Sequence, residues 1–505
     1  MTPWSERLGA LDALFLDLED RSAHMHVGAL TLFEGTPPPY RDFLKLIESK
    51  LPYVPRYRQR LMFVPFSQGR PVWIDESDFD LEFHVRHTAL PSPGGLAELK
   101  KLAGRLLSQR LDRDKPLWEM WLVEGLAQGG FAIVSKSHHC MIDGVSGVDL
   151  AAILLDPEAS DAPPPPPEPW NPRPAPTVAE LLVTSMKEQI AHPLKFAKEA
   201  IEGSSGGSVG DARKLLKDLV SNVKPLLGLA QMGLAPPTSL NVPIGPHRKF
   251  ECVDFSLSEV KQVRAGLGGT VNDVILASVA GALRTFLTRR GETLGPDLRV
   301  MVPVSVRPES QHGALGNQVS AMFCPLPVAD ADPASRLRKV REAMKGLKES
   351  GQVMGAQALS RLGDFAPPTI LAQAARLQSV TRMFNVVVTN VPGPQFPLYL
   401  LGRRMKAAYP QVPLAAMQAV GVALLSYDGN IGVGLLGDAD QAKDLPELAH
   451  DLRAAMNELL AAAGAHVTVE LSQPAPKITI PEPASPPQTA SATPPAGTNS
   501  NGTAH

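Results

Sequence analysis

The chain has 505 residues and a formal net charge of −2 at pH 7, with a pI near 6.7; this argues against nucleic-acid binding, since such domains commonly sit above a pI of about 9. Its three cysteines, Cys140, Cys252 and Cys324, are too few and too dispersed for a disulfide framework and fit a reducing, cytoplasmic setting. A length beyond the ~250 to 300 residues at which a single core stops growing predicts two lobes, and alternation of helix-like and strand-like segments gives them an α/β class.

At the start, Met1 to Arg7 lack the basic stretch and apolar core of a secretory signal. Residues 1–156 then read as a first lobe of alternating helical and strand-like segments, with strands over Val27 to Phe33 and Trp118 to Val123. Trp118 is expected in a core because an aromatic ring carries a large buried area; lining a substrate channel is its second reading. The strand-like run Phe131 to Ser137 leads directly into Ser137-His138-His139-Cys140-Met141-Ile142-Asp143-Gly144. Side chains alternate along a strand, which groups His139 with Ser137, Ser135 and Ile133 and sets His138 with Lys136 and Val134. The two rings therefore have different jobs, and His139 is the candidate base. An imidazole with a pKa near 6.5 takes a proton from an alcohol as its oxygen attacks a carbonyl.

No Gly-x-Ser-x-Gly elbow occurs and alternation turns Cys140 away from His139, so no covalent acyl-enzyme is expected. Asp143 either orients His139 or, in the favoured reading, fixes the loop by pairing with a distant arginine. A structural, hydrogen-bonded histidine is the plainer explanation of one such residue at a strand end; two histidines with Asp143 and Gly144 point to chemistry. A metal site is not expected, because adjacent strand residues diverge and no His-Glu-x-x-His or paired Cys-x-x-Cys accompanies them. Beyond the loop, Ser146 to Asp149 resembles a capping box opening a helix with Val148, Ala151, Ala152 and Leu155 on one face.

Residues 157–245 form a connector. Pro157 to Pro176 holds ten prolines, five of them consecutive, which predicts a stiff polyproline segment. Thr177 to Gly233 turns helical, and from Asp211 onward Leu215, Leu216, Leu219, Val220, Val223 and Leu226 share a stripe opposite Arg213, Lys214, Lys217 and Lys224. That helix either packs its stripe on the core or rests on an anionic lipid surface.

The second lobe spans 246–468. Thr270 with Asp273 three residues later predicts a capping box opening a helix over Val274 to Leu287. A strand is read over Val300 to Val306, followed by Arg307, and Gly393 between two prolines signals a fixed turn. Leu414 to Leu425, the longest apolar run, is broken by Gln418 and Gly421 and falls short of the ~18 to 20 residues of a spanning helix. The Pro, Ala, Ser and Thr-rich tail, 469–505, is expected to be disordered.

His138-His139-x-x-x-Asp143-Gly144 is similar to the signature of the CoA-dependent acyltransferase superfamily. Pro116-Leu117-Trp118, Asn272-Asp273, Pro303-Val304-Ser305-Val306-Arg307 and Asn390-Val391-Pro392-Gly393-Pro394 resemble, in order, motifs of the bacterial wax ester synthase/diacylglycerol acyltransferase family. Leu11 to Leu16 and Met25-His26-Val27-Gly28 fit it too, so the resemblance covers about residues 5 to 465. It implies two chloramphenicol-acetyltransferase-like lobes with an active-site channel between them. It also implies transfer of a fatty acyl group from acyl-CoA, as co-substrate with no further cofactor, to diacylglycerol, a long-chain alcohol or both.

By that resemblance His139 is the general base, His138 and Asp143 organise the loop, and Gly144 lets the backbone pass close to the reacting centre. Asn272 and Asp273 become candidates for shaping the channel, on equal terms with capping, and Arg307 becomes the proposed partner of Asp143. Peripheral contact with a membrane or lipid droplet is compatible with such substrates. The competing readings are a condensation-type acyltransferase using carrier-protein thioesters and a catalytically silent lipid-droplet binding protein; the oligomeric state is not legible.

Overall fold

The computed structural model describes residues 6–141, 153–160, 162–166, 169–187, 233–305, 319–349 and 382–464. Two six-stranded mixed sheets dominate, beside a separate three-stranded sheet of Glu6–Arg7, Val72–Asp75 and Gln59–Met62. The first large sheet runs in the order Tyr399–Leu400, Arg403–Gln411, His26–Phe33, Phe131–His138, Trp118–Glu124 and Val85–Ala89. Its Phe131–His138 strand lies between two antiparallel neighbours and is buried along its whole length, which explains why its sequence alternates only loosely.

Close approach is needed on this strand's flank. A Cβ at Gly28 would lie 2.1 Å from the Ser135 carbonyl oxygen, so only glycine lets the two backbones meet there. The helices Tyr40–Lys50 and Leu96–Ser108 carry amphipathic stripes: Phe43, Leu46 and Ile47 pack with Trp118, Phe131 and Ile133, whereas Leu99, Leu102 and Leu106 pack with Leu30 and Val134.

The second sheet has the order Val319–Leu326, Leu298–Ser305, Val386–Pro392, Val420–Tyr427, Asn430–Asp438 and Arg248–Ser256. Against it lies Val271–Arg289, opened by the predicted box: the Thr270 hydroxyl accepts from the Asp273 N–H at 3.2 Å and the Asp273 carboxylate from the Thr270 N–H at 2.8 Å. This helix is long and apolar enough to cross a membrane by composition. It is a core helix instead, packed with Pro333–Glu349 and Leu445–Ala462 and contributing Val274 to Leu287 to the largest apolar cluster.

The two halves are not closed on themselves. Tyr399–Gln411 leaves the second half and completes the first sheet, with Arg403–Gln411 pairing antiparallel to His26–Phe33; a division of the chain at residues 157–245 does not anticipate this crossing. The Leu96–Ser108 helix sits at the joint, where a side chain at Gly104 would strike the Arg248 carbonyl at 2.8 Å, and Phe250, Tyr409 and Leu436 share its apolar cluster.

The proline-rich segment has no helix or strand in its described residues, in keeping with its composition, but it is strapped down. The Trp170 indole N–H donates to the Glu76 carbonyl at 2.9 Å, Arg173 grips Asp75 at 2.9 and 2.8 Å, and Arg58 lies 4.1 Å over the Trp170 ring. Burial raises the pKa of Asp75, yet the bonds from Arg173 and Gln59 outweigh it and hold the carboxyl at about 2. The helix 178–187 follows, burying Leu181 against Val64, Val72 and Ile74. The amphipathic stretch 211–226 and the tail lie outside the described residues.

Candidate active site

The Phe131–His138 strand ends between the two histidines, and His139 opens a 3-10 turn, His139–Met141. Strand alternation therefore does not carry His139 forward as expected; the change of backbone, rather than the pleat, separates the two rings. Three bonds donated by main-chain N–H groups hold the junction. The His138 N–H donates to the Leu117 carbonyl at 2.9 Å and the His139 N–H to the Met25 carbonyl at 2.9 Å. The Cys140 N–H donates to Nδ1 of His138 at 3.1 Å. Leu117 belongs to the Pro-Leu-Trp segment, and Met25 adopts a left-handed backbone, φ 48°, which for a non-glycine residue stores strain that the surrounding structure must hold.

His138 is 1% exposed. Because Nδ1 accepts from Cys140, the ring proton of the neutral form is on Nε2, and Nε2 stands 3.6 Å from a Glu19 carboxylate oxygen, an ion-pair spacing slightly beyond hydrogen-bond length. Glu19 caps the Ala10–Leu18 helix, and its side chain is 1% exposed. Arg113 grips it, Nε at 2.7 Å, and Arg110 adds a bond at 3.2 Å. Burial alone would raise the Glu19 pKa, but His138 and Arg113 together hold it at about 2, so Glu19 is an anion. Burial lowers the pKa of His138 and the neighbouring Glu19 opposes that shift.

His139 is half-buried, its ring stacked on Phe15 at 3.8 Å and 18°. Desolvation brings its pKa down to about 4, with His138 acting in the same direction. It is thus neutral at pH 7, with a buried Nδ1 that has no hydrogen-bond partner among the described residues. Cys140 is 2% exposed, and burial, followed by the charge of Asp12, pushes its thiol well up. It is a packed, protonated thiol and not a nucleophile.

Further residues have plainer roles. Trp118 is 1% exposed, donates its indole N–H to the Tyr57 carbonyl at 2.8 Å and stacks on His84 at 4.7 Å, packed as a core residue. Asp273 closes the capping box, and Asn272 follows Val271 in the same first helical turn. Asp143, Gly144 and Arg307 lie outside the described residues. No cluster of three metal-ligating side chains occurs among the described residues.

Sequence reasoning missed Glu19, Arg113 and Phe15 as neighbours of the histidine pair. One signal was available: Phe15 and Glu19 are four apart, so a helix sets them on one face, and that face meets both histidines.

The wax ester synthase/diacylglycerol acyltransferase catalytic domain matches residues 8–275, and the C-terminal domain of the same family matches 315–460. The chain belongs to this family. A probable diacylglycerol O-acyltransferase of Mycobacterium tuberculosis is 35% identical over 460 residues, covering 90% of this chain and 96% of that one. The solved wax ester synthase/diacylglycerol acyltransferase from Marinobacter aquaeolei VT8 superposes with a TM-score of 0.63 at 29% identity, over 91% of this chain and 100% of that one. The first condensation domain of the calcium-dependent antibiotic synthetase gives a TM-score of 0.54 over 92% of this chain and 98% of that one. At 14% identity it shares the fold alone. The wax ester synthase/diacylglycerol acyltransferase membership bears out the two-lobed α/β architecture and makes the chain an acyl-CoA-dependent acyltransferase.

Proposed function

We propose that the protein transfers a fatty acyl group from acyl-CoA to the hydroxyl of diacylglycerol, of a long-chain alcohol or of both, with His139 as general base. The reading is supported by a neutral imidazole standing where the described strand ends, in a chain whose relatives are named diacylglycerol O-acyltransferase and wax ester synthase/diacylglycerol acyltransferase. In this scheme the hydroxyl proton passes to His139 as the oxygen attacks the thioester carbonyl. The tetrahedral intermediate then collapses, the carbon–sulfur bond breaks, and the proton goes from His139 to the departing CoA sulfur, leaving an ester and free CoA. A thioester is already activated, so positioning and proton transfer supply the rate without a covalent acyl-enzyme.

His138 supports this scheme as an organiser of the turn. Asp143, Gly144 and Arg307 keep the loop-forming roles that the family resemblance implies, as part of the same proposal. Acceptors of this kind partition into lipid, so we place the enzyme on a membrane or droplet surface, with the stretch 211–226 as the contact. Removing 205–233 is expected to abolish binding to anionic liposomes while leaving a folded protein; undiminished binding would refute that contact.

The deciding assay offers palmitoyl-CoA with each acceptor and resolves triacylglycerol from wax ester. His139→Ala is expected to lower kcat by about 10²- to 10⁴-fold, the range carried by general-base catalysis, with an unchanged circular dichroism spectrum. Parent-level turnover in that variant would end the proposal.

A further inference from the structure

The last turn of the Ala10–Leu18 helix reaches both members of the histidine pair at once: Phe15 stacks on His139, and Glu19 faces His138. We infer that Glu19, clamped by Arg113 and Arg110, is a positioning residue that locks His138 in its Nε2–H tautomer and so sets the turn that presents His139. The inference rests on the proposed role of His139.

Four observations carry it. The Glu19 carboxylate is sequestered, 1% exposed, although glutamate is rarely buried unless paired. Two guanidinium groups converge on it, and Arg113 is itself anchored to the end of the helix through the Leu16 carbonyl at 3.0 Å, which fixes the carboxylate against both helix and strand. Nε2 of His138 makes no hydrogen bond among the described residues but stands 3.6 Å from this carboxylate, so the anion favours a proton on that nitrogen. With the proton there, Nδ1 is left as an acceptor, and it is used: it takes the Cys140 N–H, the first step of the 3-10 turn.

The consequence is a chain of dependence from charge to shape. Move the proton to Nδ1 and the Cys140 N–H meets a donor instead of an acceptor, so the turn loses its internal bond and His139 loses its fixed exit from the strand. The carboxylate never meets a reacting atom; it acts through His138, as an orienting group acts on the ring it holds.

The experiment is a double-mutant cycle on the full chain. Glu19→Gln preserves shape and removes the anion. It is expected to lower kcat by about 10- to 100-fold, the loss typical when an orienting partner is removed, with KM for palmitoyl-CoA within about 2-fold of the parent, as for an interaction that counts mainly in the transition state. In a His138→Asn background, whose amide oxygen still accepts from Cys140, the same substitution is expected to change kcat by less than about 2-fold, because the group it orients is gone.

Additive losses in the cycle, or an undiminished kcat in the single variant, overturn the inference, as does a fall in kcat matched by an equal rise in KM. If Glu19→Gln does not fold, Glu19→Asp, which withdraws the charge by one methylene, is read in its place: reduced kcat supports the inference and parent-level kcat overturns it. His139→Ala, measured alongside, separates the two claims. Inactive His139→Ala with unaffected Glu19 variants discards the positioning role alone, whereas active His139→Ala discards the base assignment on which it stands.

Discussion

The proposed base, His139, is neutral because burial disfavours its cation, and that has a measurable sign. Its ring pKa, near 6.5 in water, is brought down to about 4 by burial. Protonation removes the base, so kcat/KM for the free enzyme is expected to stay level as pH falls through 6.5 and to drop only toward an apparent pKa near 4. A limb at 6.5 in a stopped assay over pH 4 to 8 would show a hydrated ring. The same group shapes stability. Between pH 6.5 and 4 the unfolded chain takes up a proton that the native ring refuses, so the folded state loses stability as pH falls through that window. Its contribution is fully present only above the unfolded value. At this scale the sequence made the histidine pair legible, because residue types and spacing alone carry it. It did not make Glu19 legible as a partner, since the carboxylate is 119 positions away in the chain from His138, and only the packing of a helix end against a strand end joins them.

Elements were read well where local chemistry decides them. Thr270 and Asp273 predicted the start of Val271–Arg289, because a capping box satisfies two orphan N–H groups within four residues. Thr270→Ala is expected to cost about 1 kcal/mol of stability, measured by urea unfolding, and to leave kcat unchanged. If Asp273→Ala gives the same pair of results, capping accounts for Asp273; a separate fall in kcat would assign it to the channel. Gly28 makes a sharper case. Gly28→Ala puts a methyl group 2.1 Å from the Ser135 carbonyl, so the strand bearing the histidines must move, and both the thermal midpoint and kcat are expected to fall. The strand end at His138 was illegible for the opposite reason. Nothing local in Ser-His-His-Cys forbids extension; the turn depends on the Met25 carbonyl and on a side-chain nitrogen of His138.

Across the molecule, two-lobed α/β organisation followed from length and alternation, but the crossing of Tyr399–Gln411 did not, because pairing between distant strands leaves no mark in a local pattern. The crossing makes the halves interdependent. A fragment of residues 1–245 lacks two of the six strands of its principal sheet and exposes the His26–Phe33 edge, so it is expected to aggregate or to remain open to limited proteolysis. Recovery of a monomeric, protease-resistant fragment would show that the first half folds alone. The Arg248 guanidinium adds a second tie, donating to the Ser22 carbonyl in the loop before His24 and to the Gly245 carbonyl at 2.7 Å.

That returning strand also sets a timetable during synthesis. At about 5 to 20 residues per second, the ribosome delivers the histidine-bearing segment tens of seconds before the Arg403–Gln411 strand emerges to cover its neighbour. Until then a nascent chain carries its histidine pair with one flank of the supporting sheet still bare.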